Sequence, residues 1–135
     1  MMIYAVIDTN VFVSAFITHN PDAATSKVVD RLFEGKITPL YNSAILAEYS
    51  EVLSRGYFHI SETKRETLFD YIRANGIHAE QTNFNSLFID EDDRVFYEVM
   101  LSKDDSFLVT GNLKHFPISP RVVTPAQMLE ILEAN

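Results

Sequence analysis

Five apolar or aromatic residues, Ile3-Tyr4-Ala5-Val6-Ile7, run without interruption into Asp8, and a helical pattern begins at once. An unbroken apolar run of this length predicts a strand buried on both faces, the habit of parallel sheets; a strand with one wet face would alternate. Asp8 then falls where that strand ends. In open α/β sheets, ligands bind outside the carboxyl ends of the strands. A carboxylate there is costly to bury unless it is paired, hydrogen-bonded or holding a metal. The question for the remaining chain is which other groups reach the same edge.

Thr9-Asn10 can cap a short helix through Val11, Phe12 and Ala15. After the turn cluster Thr18-His19-Asn20-Pro21-Asp22, a second helix puts Val28, Val29, Leu32 and Phe33 on one face. Gly35 suits the left-handed position past its end. The stretch 37–41 reads as a strand, and Pro39, which cannot donate to a ladder, suits an edge or near-edge place. Asn42-Ser43 cap a helix over about 44–54 with Ile45, Leu46, Tyr49, Val52 and Leu53 as its apolar stripe. Glu48 lies on the border of that stripe and Glu51 on the far side. Ser61 caps a helix through Leu68, Phe69, Tyr71 and Ile72 that stops at Asn75-Gly76. A third strand is expected over 77–80, and a polar loop over 81–86.

The acidic run Asp90-Glu91-Asp92-Asp93 opens a helix from Arg94 to Leu101, where carboxylates complement the macrodipole. Ser106-Phe107-Leu108-Val109-Thr110 is a buried strand ending in Gly111-Asn112. A last short strand at 121–123 leads to Thr124-Pro125-Ala126-Gln127, a capping box with Pro at the first helical position. Strands and helices alternate throughout. That order predicts the α/β class: a three-layer α/β/α sandwich with a mostly parallel central sheet. At 135 residues, one domain over 1–135 is expected.

The formal net charge of −8 argues against a bulk electrostatic grip on nucleic acid. It leaves room for acids gathered in one pocket and neutralised by a divalent metal, for a basic protein partner, or simply for solubility. No apolar run approaches the roughly eighteen residues of a membrane span, and no basic segment opens a signal peptide. The chain has no cysteine, hence no disulfide and no thiolate metal site. A cytoplasmic location is the expectation.

Asp8 at a strand end, Glu48 near a helix start and Asp93 at another helix start all belong to the same side of a parallel sheet. Their hard oxygen donors suit Mg²⁺ or Mn²⁺, ions that lower the pKa of a bound water and stabilise charge on a phosphoryl group. Each acid also has a simpler reading: Asp8 as a helix cap, Glu48 paired with an arginine, and the 90–93 run as solvated dipole partners. The coincidence of the three favours a metal. His19, His59, His78 and His115 share no ligand spacing and read as surface or loop residues, with His115 alone near the proposed edge.

Ile-Asp-Thr-Asn-Val-Phe at 7–12, Ile-Leu-Ala-Glu-Tyr at 45–49, Val-Leu at 52–53, Asp-Glu-Asp-Asp-Arg-Val-Phe at 90–96 and Leu-Val-Thr-Gly-Asn at 108–112 together resemble a PIN domain. The likeness runs from residue 3 to about 125 and is greatest to PIN toxins of bacterial and archaeal toxin–antitoxin pairs. It implies a Mg²⁺- or Mn²⁺-dependent ribonuclease whose metal ligands fall on Asp8, Glu48 and Asp93. It also implies a small antitoxin protein as partner and a homodimer. Thr9 and Thr110 would orient ligands or touch phosphate. The family often carries a fourth acid where this chain has Asn112, a neutral oxygen donor, and Asp90 or Asp92 would have to compensate. Lys114, Arg94 and Arg55 are candidate phosphate contacts.

The leading expectation is therefore a metal-dependent endoribonuclease. Its rival is a non-catalytic PIN-like module that binds a partner protein, favoured by Asn112 and by the negative charge. An aspartyl-nucleophile phosphatase comes third, because that chemistry uses a second Asp two residues after the first, and this chain has Asn10 there.

Overall fold

The computed structural model describes residues 2–135. The opening apolar run is β1 (Ile3–Ile7), the central strand of a five-stranded sheet. Ala5, Val6 and Ile7 are all essentially inaccessible, so both faces of β1 are covered. The other strands are β2 (Ile37–Tyr41), β3 (Ile77–His78), β4 (Ser106–Val109) and β5 (Val122–Val123). They are ordered β3-β2-β1-β4-β5, and every pairing is parallel. Six α-helices complete the expected α/β sandwich: α1 (Thr9–Ile17), α2 (Ala24–Phe33), α3 (Ser43–Leu53), α4 (Glu62–Asn75), α5 (Arg94–Leu101) and α6 (Pro125–Glu133). Single 3-10 turns lie at Gly56–Phe58, Glu91–Asp93 and Leu113–His115.

The strand order places the site. From β1 the chain builds outward to β2 and β3, then returns to the other side of β1 for β4 and β5. The direction reverses between β1 and β4. At such a switch point the two outgoing connections diverge and leave a crevice at the carboxyl edge. Asp8 follows β1 and Thr110 follows β4, so these residues flank the crevice.

Local signals account for most boundaries. Asn42 caps α3 by accepting from the Ile45 N–H at 2.9 Å, and Ser61 caps α4 by accepting from Lys64 at 3.2 Å. The capping box at Thr124 is formed in both directions, with Gln127. Gly35 takes φ +80° after α2. Gly76 answers a different need: a Cβ there would lie 2.6 Å from the Ile72 carbonyl and 2.7 Å from that of Pro39. The chain can therefore turn from α4 into β3 only where no side chain intrudes. Pro39 sits opposite Ala5 in β2, one strand in from the short edge strand β3, which keeps its near-edge place.

The core nearest the site is aromatic. Phe12 of α1 meets Tyr49 of α3 edge-on at 5.1 Å, and Tyr49 lies 6.1 Å from Phe96 of α5. All three are nearly inaccessible, and each such ring contributes roughly 1.5–3 kcal/mol by leaving water. This cluster ties together α1 and α3, which carry Thr9 and Glu48, and α5, which Asp93 precedes.

Candidate active site

Asp8 is the last residue before α1 and is only 6% exposed. It occupies the N-cap position, yet its side chain makes no cap bond; its Oδ2 instead accepts from the Thr110 hydroxyl at 2.7 Å. The backbone holds the same place, since the Asp8 N–H donates to the Val109 carbonyl at 2.9 Å. Burial pushes the Asp8 carboxyl from 3.8 up to about 6; Asp93 and Glu48 push the same way, while the Thr110 hydroxyl and the Thr9 backbone oppose.

Glu48 reaches the crevice because of its neighbour in sequence. Ile45, Tyr49 and Leu53 form the buried stripe of α3, and the Tyr49 hydroxyl donates to the Ile7 carbonyl, one residue before Asp8. That bond clamps α3 against the end of β1 and leaves Glu48 at the margin of the core. The Thr9 hydroxyl donates to Glu48 Oε2 at 2.7 Å. Thr9 and Thr110 thus each aim one carboxylate. Glu51 lies outside and pairs with Arg55 at 2.8 Å.

Asp93 ends the 3-10 turn that starts α5, and burial followed by the nearby Asp90 raises its carboxyl. Asp90 caps that turn by accepting from the Asp92 N–H at 2.9 Å. Across the crevice, Asp93 Oδ2 lies 3.2 Å from His115 Nδ1, and His115 Nε2 lies 3.0 Å from Asn112 Nδ2. His115 is therefore part of the site rather than a bystander in a loop. Sequence reasoning undervalued it because its partners are 22 and 3 residues away and no second histidine shares a spacing with it. Asn10 accepts from the Gly111 N–H at 3.2 Å, tying α1 to the loop after β4, a structural use of the residue a phosphatase would need as Asp.

These groups share one cleft of about 300 Å³, lined by Asp8, Thr9, Asn10, Val13, Glu48, Val52, Phe58, Asp90, Asp93, Asn112 and His115. Four carboxylates face it and no lysine or arginine lines it. Among the described residues, no three His, Asp or Glu side chains are already drawn up around one point as a closed metal cage. The donor set still fits a small hard cation. Mg²⁺ takes only one or two carboxylates directly and keeps several waters, so an open cleft of carboxylate and amide oxygens suits it better than a closed cage.

The candidate phosphate contacts separate. Arg55 is engaged by Glu51 and the Tyr57 hydroxyl. Arg94 donates to Glu91, Phe84 and Ser86 and lies 3.5 Å from Glu98. Lys114 remains exposed on the turn between Asn112 and His115. The Arg94 network was not legible in the sequence. Glu98 is 4% exposed, accepting from Gln81 at 2.8 Å and from the Phe84 N–H at 2.8 Å. Its partners lie in the long loop before α5, which has no periodicity to read. A second, mostly apolar groove of about 370 Å³ lies between α1, α2 and α4, away from the acids.

A parallel sheet whose switch point opens into a cleft of four carboxylates defines the class: α/β proteins that gather acids at the carboxyl edge of the sheet. The PIN domain profile matches residues 4–114, and the chain belongs to the PIN domain family. An uncharacterised protein of Methanocaldococcus jannaschii is 33% identical to it over 97% of this chain and 92% of the relative. PIN domains are generally nucleases and typically use divalent metals. No helix among the described residues is long and apolar enough to cross a membrane.

Proposed function

We propose that this chain is a Mg²⁺- or Mn²⁺-dependent endoribonuclease that hydrolyses single-stranded RNA. One observation carries the reading: four carboxylates line a cleft that offers them no lysine or arginine, and one of them, Asp8, is almost fully buried. Acids so gathered need protons or a cation to offset their repulsion. Asp8, Glu48 and Asp93 would hold the ion, directly or through water, with the Thr110 and Thr9 hydroxyls fixing the first two carboxylates in place. When bound, a divalent ion supplies stabilisation of the charge that develops on the phosphoryl group and a lowered pKa for water. Lys114, exposed on the turn between Asn112 and His115, would meet a phosphate. Val13, Val52 and Phe58 form an apolar wall suited to a ribose or an unpaired base.

The test is Mn²⁺-dependent cleavage of single-stranded RNA by the purified protein, abolished in Asp8→Asn. Robust cleavage by that variant would remove Asp8 from the mechanism. By family resemblance, we extend the proposal to the toxin of a toxin–antitoxin pair, with a small antitoxin protein as partner, a homodimer as the assembly and the cytoplasm as the location. Growth arrest on induction of the wild type, absent with Asp8→Asn, tests the toxin role.

Asn112 favours one rival, a non-catalytic module that binds a partner protein. That reading predicts no thermal shift with Mn²⁺. Stabilisation by low millimolar Mn²⁺, lost in Glu48→Gln, would rule it out.

A further inference from the structure

The nuclease reading above gives His115 no task, yet its ring meets two residues that line the cleft. The imidazole stands between Asp93 Oδ2, 3.2 Å from Nδ1, and Asn112 Nδ2, 3.0 Å from Nε2. An ionised carboxylate can only accept, so Nδ1 carries a hydrogen. With one hydrogen on the ring, Nε2 keeps its lone pair and must accept, and the amide NH₂ of Asn112 is the donor it faces. That choice fixes the carboxamide. Its nitrogen is turned to His115, and its oxygen is left without a hydrogen-bond partner among the described residues, on a side chain that lines the acidic cleft.

The two ends of a carboxamide are nearly equal in size, so shape alone would not decide which end faces the cleft. The ring decides it. The Asn112 backbone is held as well: its N–H donates to the Thr110 hydroxyl at 3.0 Å, and that hydroxyl donates to Asp8 Oδ2 at 2.7 Å. A continuous chain of contacts thus runs from Asp93 through His115, Asn112 and Thr110 to Asp8.

We propose that His115 is a positioning residue: it orients the Asn112 carboxamide so that Oδ1 serves as a neutral oxygen ligand for the divalent cation in the cleft. The inference rests on the metal-dependent reading above. A neutral donor suits this place, because a further carboxylate would add repulsion beside Asp8 and Asp93. An aspartate at 112 would also set an oxygen against Nε2 and demand a second hydrogen on the ring. Asn112 and His115 are therefore a matched pair, and Asn112→Asp alone would not simply add an acid.

Two measurements without substrate test this. Nitrogen-resolved NMR of the wild-type imidazole at about pH 8 should show His115 with its hydrogen on Nδ1 and an unprotonated, hydrogen-bonded Nε2. Mn²⁺ binding, followed by calorimetry or by the paramagnetic resonance of the free ion, should weaken about tenfold in His115→Ala, as for other residues that orient metal ligands. Asn112→Ala should weaken it by a similar factor, and the double variant no further, since the two residues act as one unit. Thermal melting in EDTA checks that each variant is folded; if His115→Ala does not fold, the wild-type NMR spectrum alone decides. A hydrogen on Nε2, an unchanged Mn²⁺ affinity in His115→Ala, or additive losses would each overturn the proposal while leaving the nuclease reading intact. Failure of the wild type to bind Mn²⁺ would overturn both.

Discussion

The fold resists ionising Asp8, and that resistance has a measurable size. The carboxyl is 6% exposed and pushed to about 6, against 3.8 for the ordinary group. Between those two values the native protein holds a proton that the unfolded chain has released. Stability of the metal-free protein therefore falls as pH rises through that window, and the loss is complete above about pH 6. Roughly two pKa steps at about 1.4 kcal/mol each amount to about 3 kcal/mol. Asn at position 8 still accepts from the Thr110 hydroxyl and carries no charge. Asp8→Asn should thus exceed the wild type in stability at about pH 8 in EDTA by up to about 3 kcal/mol. For a chain of this length, that corresponds to about 10 °C in Tm. Thermal melts in EDTA from about pH 4 to pH 8 check it, and the gap should close toward pH 4. Saturating Mn²⁺ should raise the wild-type Tm at pH 8 and leave the variant nearly unmoved. A variant less stable than the wild type at pH 8, or a gap that does not change with pH, would refute the reasoning.

Three further outcomes are expected. Glu98→Ala should cost about 3 kcal/mol, because it removes the acceptor of the half-buried Phe84 N–H and one of the carboxylates facing Arg94, and releases the Gln81 amide to water. Urea unfolding measures the loss, and limited proteolysis should cut first within the loop before α5. Gly76→Ala should cost roughly 1–3 kcal/mol as two backbone carbonyls are forced aside. Its mark in hydrogen exchange is loss of protection at the Ala79 N–H, which donates to Tyr41 beside β3. Thr124→Ala should cost about 1 kcal/mol by opening the capping box of α6, with no change in Mn²⁺ binding.

The sequence by itself determined what depends on near neighbours. The run into Asp8 dictated a central buried strand because five consecutive apolar side chains cannot all be sheltered on one face of a sheet. Asn42, Ser61 and Thr124 announced helix starts because a cap acts within three residues. Glu48 stood out because helical periodicity sets it between the buried and exposed faces of α3. The strand order β3-β2-β1-β4-β5 and the pairing of side chains across the crevice were decided only by the tertiary structure. Thr110 meets Asp8 across 102 residues, His115 meets Asp93 across 22, and Glu98 finds its partners in a loop without periodicity. Such pairs form where separate segments are brought together by the sheet, so no local spacing encodes them. Residue types at strand ends and helix starts could nominate the acids of the cleft; which hydroxyl, ring or amide holds each in place is a property of the packed chain alone.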